Sequence, residues 1–96
     1  MVLFILLKSP FECNAIELME RLRDGNNDGV LLAEDAIYYA TVSKVKDELL
    51  KKGYKIYAMQ DDALARGFDN IEDVELIDYE TAVDLIMEKY SKVISL

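Results

Sequence analysis

Positive charge is scarce in this sequence. Its 11 lysines and arginines face 19 aspartates and glutamates, histidine is absent, and the formal net charge is −8 over 96 residues. A chain this acidic does not grip a phosphate backbone by itself, because that affinity comes from cations that neutralise phosphates. Lysines do gather between Lys44 and Lys55, and they read as a solvated face rather than a nucleic-acid contact. Cysteine is nearly absent too. A lone Cys13 rules out an internal disulfide and fits a reducing compartment. The opening MVLFILLKSP has no basic flank, and its apolar run is too short to span a bilayer or to form a signal core. The expectation is a cytoplasmic chain that does not enter a membrane. No repeat, low-complexity tract or linker divides it, so residues 1–96 are expected to form one domain.

What is abundant is apolar side chain, at 52% of residues. In so short a chain this implies a sheet covered on both faces, or apolar surface reserved for a partner. Val2 to Leu7 is a continuous apolar run, as expected of a doubly buried strand. Ser9-Pro10-Phe11-Glu12 reads as a capping box opening a helix that runs to about Arg23, with Ala15, Leu18, Met19 and Leu22 on its apolar face. Val30 to Ala33 reads as a second strand. Glu34-Asp35 then caps a helix bearing Tyr38, Val42, Val45 and Leu49, which Gly53 ends. Val74 to Ile77 is a further strand, Asp78 caps a helix with Tyr79, Val83, Ile86 and Tyr90 on one stripe, and Lys92 to Leu96 suits a short last strand. Alternating strands and helices with short connections predict a parallel sheet with helices on its faces.

One motif competes with this reading. Asp24, Asn26, Asp28 and Gly29 match the first half of a calcium-binding loop. The second half does not follow: Val30 to Ala33 is four apolar residues in a row, and the twelfth position is the short Asp35. A polar turn feeding a buried strand explains the same letters, and no metal site is expected.

The stretch from Lys55 to Phe68 is where chemistry is expected to gather. An apolar strand, Ile56 to Met59, meets Gln60-Asp61-Asp62, and a short helix through Arg66 ends at Gly67. Ligands of open α/β sheets collect at such strand ends beside helix starts. Met59, Gln60, Asp61, Asp62 and Arg66 are therefore the candidate binding residues. Capping by Asp61 or Asp62, and a cation near a helix C-terminus for Arg66, account for the same residues without function. Tyr38 and Tyr39 are candidate interface anchors; otherwise Tyr38 faces the core and Tyr39 is ordinary surface.

Blocks in this order resemble the DsrH/TusB family of sulfur-relay proteins. They are Lys8 to Glu12 after the first strand, Val30 to Leu32 with Glu34 to Ala40, Lys55 to Phe68 with its Ala65-Arg66-Gly67, and Leu76 to Tyr79 with Val83. Thr41 to Lys52 matches least. The resemblance implies the DsrE/DsrF/DsrH-like fold, a single three-layer α/β/α domain with a mainly parallel sheet of about five strands. It implies DsrE/TusD-like and DsrF/TusC-like partners, or self-association, and no cofactor. It also implies a role in passing persulfide sulfur, either toward 2-thiolation of the tRNA wobble uridine or in sulfur oxidation.

The residues speak against this chain as the carrier. Persulfide transfer needs a thiolate. In DsrE- and TusD-type relatives the carrier cysteine ends the third strand, a place that falls on Met59. Some DsrH proteins carry a cysteine in the first helix, where this chain has Met19. Only Cys13 remains, expected in the first helical turn, where the helix dipole favours a thiolate and Glu12 opposes it; a small buried apolar role is its other reading. The expected function is a supporting, non-catalytic subunit of a sulfur-relay complex. The alternatives are a stand-alone sulfurtransferase or redox protein using Cys13, and a structural homo-oligomer unrelated to sulfur.

Overall fold

The computed structural model describes residues 1–25 and 27–96, so Asn26 of the calcium-like motif lies outside the described residues. The strands are β1 (Val2–Leu6), β2 (Gly29–Leu32), β3 (Lys55–Met59), β4 (Glu75–Ile77) and β5 (Lys92–Ser95). The helices are α1 (Ala15–Leu22), α2 (Tyr38–Thr41), α3 (Ser43–Lys51), α4 (Gln60–Ala65) and α5 (Tyr79–Asp84); a 3-10 turn (Glu34–Ile37) precedes α2 and a π turn (Leu85–Lys89) extends α5. All described strand pairs are parallel, in the order β4-β3-β2-β1-β5. None of the described helices is long and apolar enough to cross a membrane.

Alternation along each strand sorts side chains between two cores. Val2, Phe4, Leu6, Val30, Leu32, Ile56 and Ala58 pack beneath α1, α2, α3 and Ala63 of α4. Leu3, Leu31, Tyr57 and Ile77 point the other way, against Ala82, Leu85 and Tyr90. Three layers result, as expected. The chain steps outward from β1 to β4, then returns across the opposite face through α5 to pair β5 with β1. Right-handed crossovers require that change of face when the direction of travel reverses.

Several local expectations are corrected. No capping box opens α1: the Ser9 carbonyl accepts from the N–H groups of Glu12 and Cys13, and the helix begins only at Ala15. Cys13 therefore lies outside α1, not in its first turn, and it is exposed rather than buried. The buried face of α1 is Ala15, Ile16 and Met19; Leu18 and Leu22 turn outward. The helix expected after β2 is broken at Val42, whose backbone is extended. That break rotates the stripe, so Tyr39 is buried at 1% exposure while Tyr38 is only half-buried, the reverse of the core-and-surface assignment. Of the stripe expected on the last helix, Ile86 and Tyr90 do pack against the second core, beside Ala82 of α5 and Leu85 of its π turn, whereas Tyr79 is 77% exposed and Val83 faces outward. Asp78 does cap α5, its carboxylate accepting from the Thr81 N–H at 2.8 Å.

Candidate functional site at the carboxyl edge of the sheet

β3 ends at Met59 and α4 starts at the next residue, so the strand end and the helix start meet without a connecting loop. Neither Asp61 nor Asp62 caps α4; both lie in its first turn, where carboxylates complement the helix dipole. The Asp62 carboxylate is used elsewhere. It accepts the Glu34 N–H at 2.9 Å, tying α4 to the turn after β2. Glu34 sits at φ 51°, a left-handed conformation that this contact helps to hold.

From α4, Arg66 reaches the same turn. Its guanidinium donates to Asp35 at 2.7 Å and to the Asp62 carbonyl at 3.0 Å. The Asp35 hydrogen bond raises the Arg66 pKa above its ordinary value, so the cation is permanent. These groups, with Leu7, Lys8 and Glu12, wall an open hollow of about 520 Å³. Of the five candidate binding residues, Asp62 and Arg66 line it, whereas Met59, Gln60 and Asp61 do not. Met59 points to the other side of the sheet, partly buried against the second core.

Asp35 and Glu34 belong to the site although they read as helix caps. No local sequence pattern pairs Asp35 with Arg66, which lies 31 residues away. The hollow holds four carboxylates and two cations and no thiol, hydroxyl or imidazole side chain. Chemically it suits ionic docking and offers no sulfur nucleophile.

Cys13 is placed by Tyr39. The Tyr39 hydroxyl donates to the Cys13 carbonyl at 2.6 Å and accepts the Ala15 N–H at 3.2 Å, so it both holds the turn and caps α1. Burial pushes the Tyr39 pKa up, which keeps that proton on the hydroxyl. Tyr39 is thus an internal strut, which removes it as an exposed interface anchor. Met19 is fully buried in the first core. Asp28 of the calcium-like motif is also turned inward, where backbone N–H groups of Val2, Asp24 and Gly25 occupy its carboxylate. Among the described residues no cluster of three potential metal ligands occurs.

Comparison with known proteins adds two findings. Residues 8–92 match the family model described as DsrH like protein. The chain is also 34% identical over 90 residues to a protein named Protein TusB from Buchnera aphidicola subsp. Baizongia pistaciae (strain Bp), covering 91% of this chain and 93% of that one.

Proposed function

The chain belongs to the DsrH family, and from that membership we propose that it is a non-catalytic subunit of a sulfur relay, supporting partners that carry the persulfide. A general role in sulfur relay follows from the family. DsrE/TusD-like and DsrF/TusC-like proteins are the partners this reading requires. The likeness to a TusB protein favours the branch that serves 2-thiolation of the tRNA wobble uridine over sulfur oxidation.

The observation that carries the reading is the thioether at the end of β3. A persulfide forms only on a thiolate sulfur, and Met59 has none to offer. Met19 is likewise a thioether and is sealed in the core. The carboxyl-edge hollow, with its paired Arg66 and Asp35, provides ionic contacts instead of covalent chemistry.

A second reading is favoured by one feature, the exposure of Cys13 on a turn anchored by Tyr39. An accessible thiol on a fixed backbone is what a stand-alone sulfurtransferase or redox protein would use. Intact-mass spectrometry after treatment with a persulfide donor separates the two. The expected result is no stable adduct on the native chain, with partner-dependent relay unchanged in Cys13→Ser. Met59→Cys is expected to acquire one sulfur atom. A stoichiometric adduct on Cys13 that passes to an acceptor protein would overturn the supporting role.

A further inference from the structure

The opposite edge of the sheet holds a second cavity, of about 440 Å³, at the amino ends of the strands. Its walls include Asp28, Tyr54, Lys55, Tyr57, Lys89 and Tyr90. Tyr57 and Tyr90 meet edge to face with ring centroids 6.3 Å apart and hydroxyls 3.2 Å apart. Gly29 makes this possible, because a Cβ there would collide with the Tyr90 hydroxyl and crowd the Tyr57 ring. The π turn brings both Lys89 and Tyr90 to the cavity: the Tyr90 N–H bonds back to the Leu85 carbonyl, and the extra residue in that turn re-aims the two side chains.

The polar groups form a chain. Lys89 Nζ donates to the Tyr57 hydroxyl at 3.2 Å, and the Tyr57 and Tyr90 hydroxyls share a hydrogen bond in which either can donate. Whichever hydroxyl donates, the proton of the other is left for a ligand. Burial pushes the Tyr90 pKa up and keeps its proton on the hydroxyl. Lys55 and Lys89 both stand over the Tyr57 ring, at 5.9 and 5.7 Å from its centroid. Among the described residues Lys89 has no carboxylate at ion-pair distance, although the chain has 19 acidic side chains. Lys55 has only Glu75 at 3.7 Å, an exposed pair that a ligand displaces at small cost. The wall carboxylate, Asp28, is already engaged by three backbone N–H donors.

Two ammonium groups and one phenol donor line the same cavity, and they are the donors that suit the oxygens of a phosphate group. The cavity is larger than a bare phosphate ion needs, and the rings of Tyr54 and Tyr57 provide apolar wall for a ligand body. We propose that this cavity binds a small phosphomonoester, with its phosphate held by Lys55, Lys89 and the hydroxyl pair of Tyr57 and Tyr90.

Proton–nitrogen correlation spectra of the full chain, titrated at constant ionic strength with inorganic phosphate and separately with glycerol 3-phosphate, test this. Saturable shifts are expected at the amides of Lys55, Tyr57, Lys89 and Tyr90, with the ester bound more tightly than the ion. Lys89 is exposed, so Lys89→Gln is expected to keep the fold while weakening binding about tenfold, the scale of one charge-assisted hydrogen bond. Lys44→Gln, away from the cavity, is expected to bind as the native chain does. Shifts that do not saturate, or that are undiminished in Lys89→Gln, would overturn the site. Inorganic phosphate binding as tightly as the ester would overturn the ester assignment.

Discussion

Asp28 shows how much one side chain can organise. It is fully buried, yet its carboxylate joins the start of β1, through the Val2 N–H at 2.8 Å, to the Asp24–Gly25 turn, with Arg23 Nε 3.6 Å away. Burial pushes its pKa up, but the three N–H donors and Arg23 outweigh that and hold it below the usual aspartate value. A carboxyl that titrates lower in the folded chain than in the unfolded one adds stability in full above the unfolded value, about 3.9. That contribution disappears as pH falls through the folded value. Asp28→Asn is therefore expected to cost about 2–4 kcal/mol at neutral pH, since an amide brings its own N–H groups toward backbone donors. The difference from the native chain should narrow as pH drops below about 4. Denaturant unfolding at a series of pH values reads this directly, and a pH-independent difference would show that ionisation is not the source. The sequence placed Asp28 in a polar turn but could not show it pointing inward, because its partner Val2 is distant in sequence.

At the scale of elements, helix ends were more legible than helix starts. α3 and α4 both close with glycine in the left-handed region, Gly53 at φ 85° and Gly67 at φ 90°. In α4 the Gly67 N–H bonds to the Leu64 carbonyl and the Phe68 N–H to the Ala63 carbonyl, the paired closure that such a glycine permits. A Cβ at Gly67 would meet nothing within 4 Å, so backbone strain alone sets the cost of Gly67→Ala, about 1–2 kcal/mol. Gly25 is equally open but not left-handed, and Gly25→Ala is expected to leave the melting temperature nearly unchanged. Equal shifts for the two variants would remove the conformational explanation. Asp78 caps α5 locally, but two other starts depend on distant partners. The first N–H of α1 is satisfied by Tyr39, and Asp62 spends its carboxylate on Glu34 instead of capping its own helix.

The whole molecule is unequally covered. Among the described residues, one face of the five-stranded sheet carries α1 to α4, while the other carries only α5 and its π turn. Ile5, Met59, Ile86 and Val93 stay only partly buried on that side, and Tyr79 and Met87 are 77% and 74% exposed on the outer surface of the same helical segment. A parallel sheet is ordinarily covered on both faces, so this side is expected to meet another subunit or a second copy of the chain. Light scattering at micromolar concentration should give a mass above that of one chain, alone or with relay partners, and Met87→Lys should lower it. A monomer that no candidate partner changes would remove this expectation. The uneven coverage also bears on the apolar composition, because part of that surface is not spent on the internal core.

Continuous apolar runs and the glycines and polar turns between them were enough to determine the parallel α/β fold, since a doubly buried strand and a glycine-closed helix each leave a local mark. The break at Val42, the inward turn of Tyr39 and the pairing of Arg66 with Asp35 left no such mark. Each depends on which segments the crossovers bring side by side. Helical periodicity predicts that a stripe exists, but a single extended residue rotates it. Only the packed sheet decides which face it shows, which carboxylate a cation finds, and that Lys55, Tyr57, Lys89 and Tyr90 share one cavity.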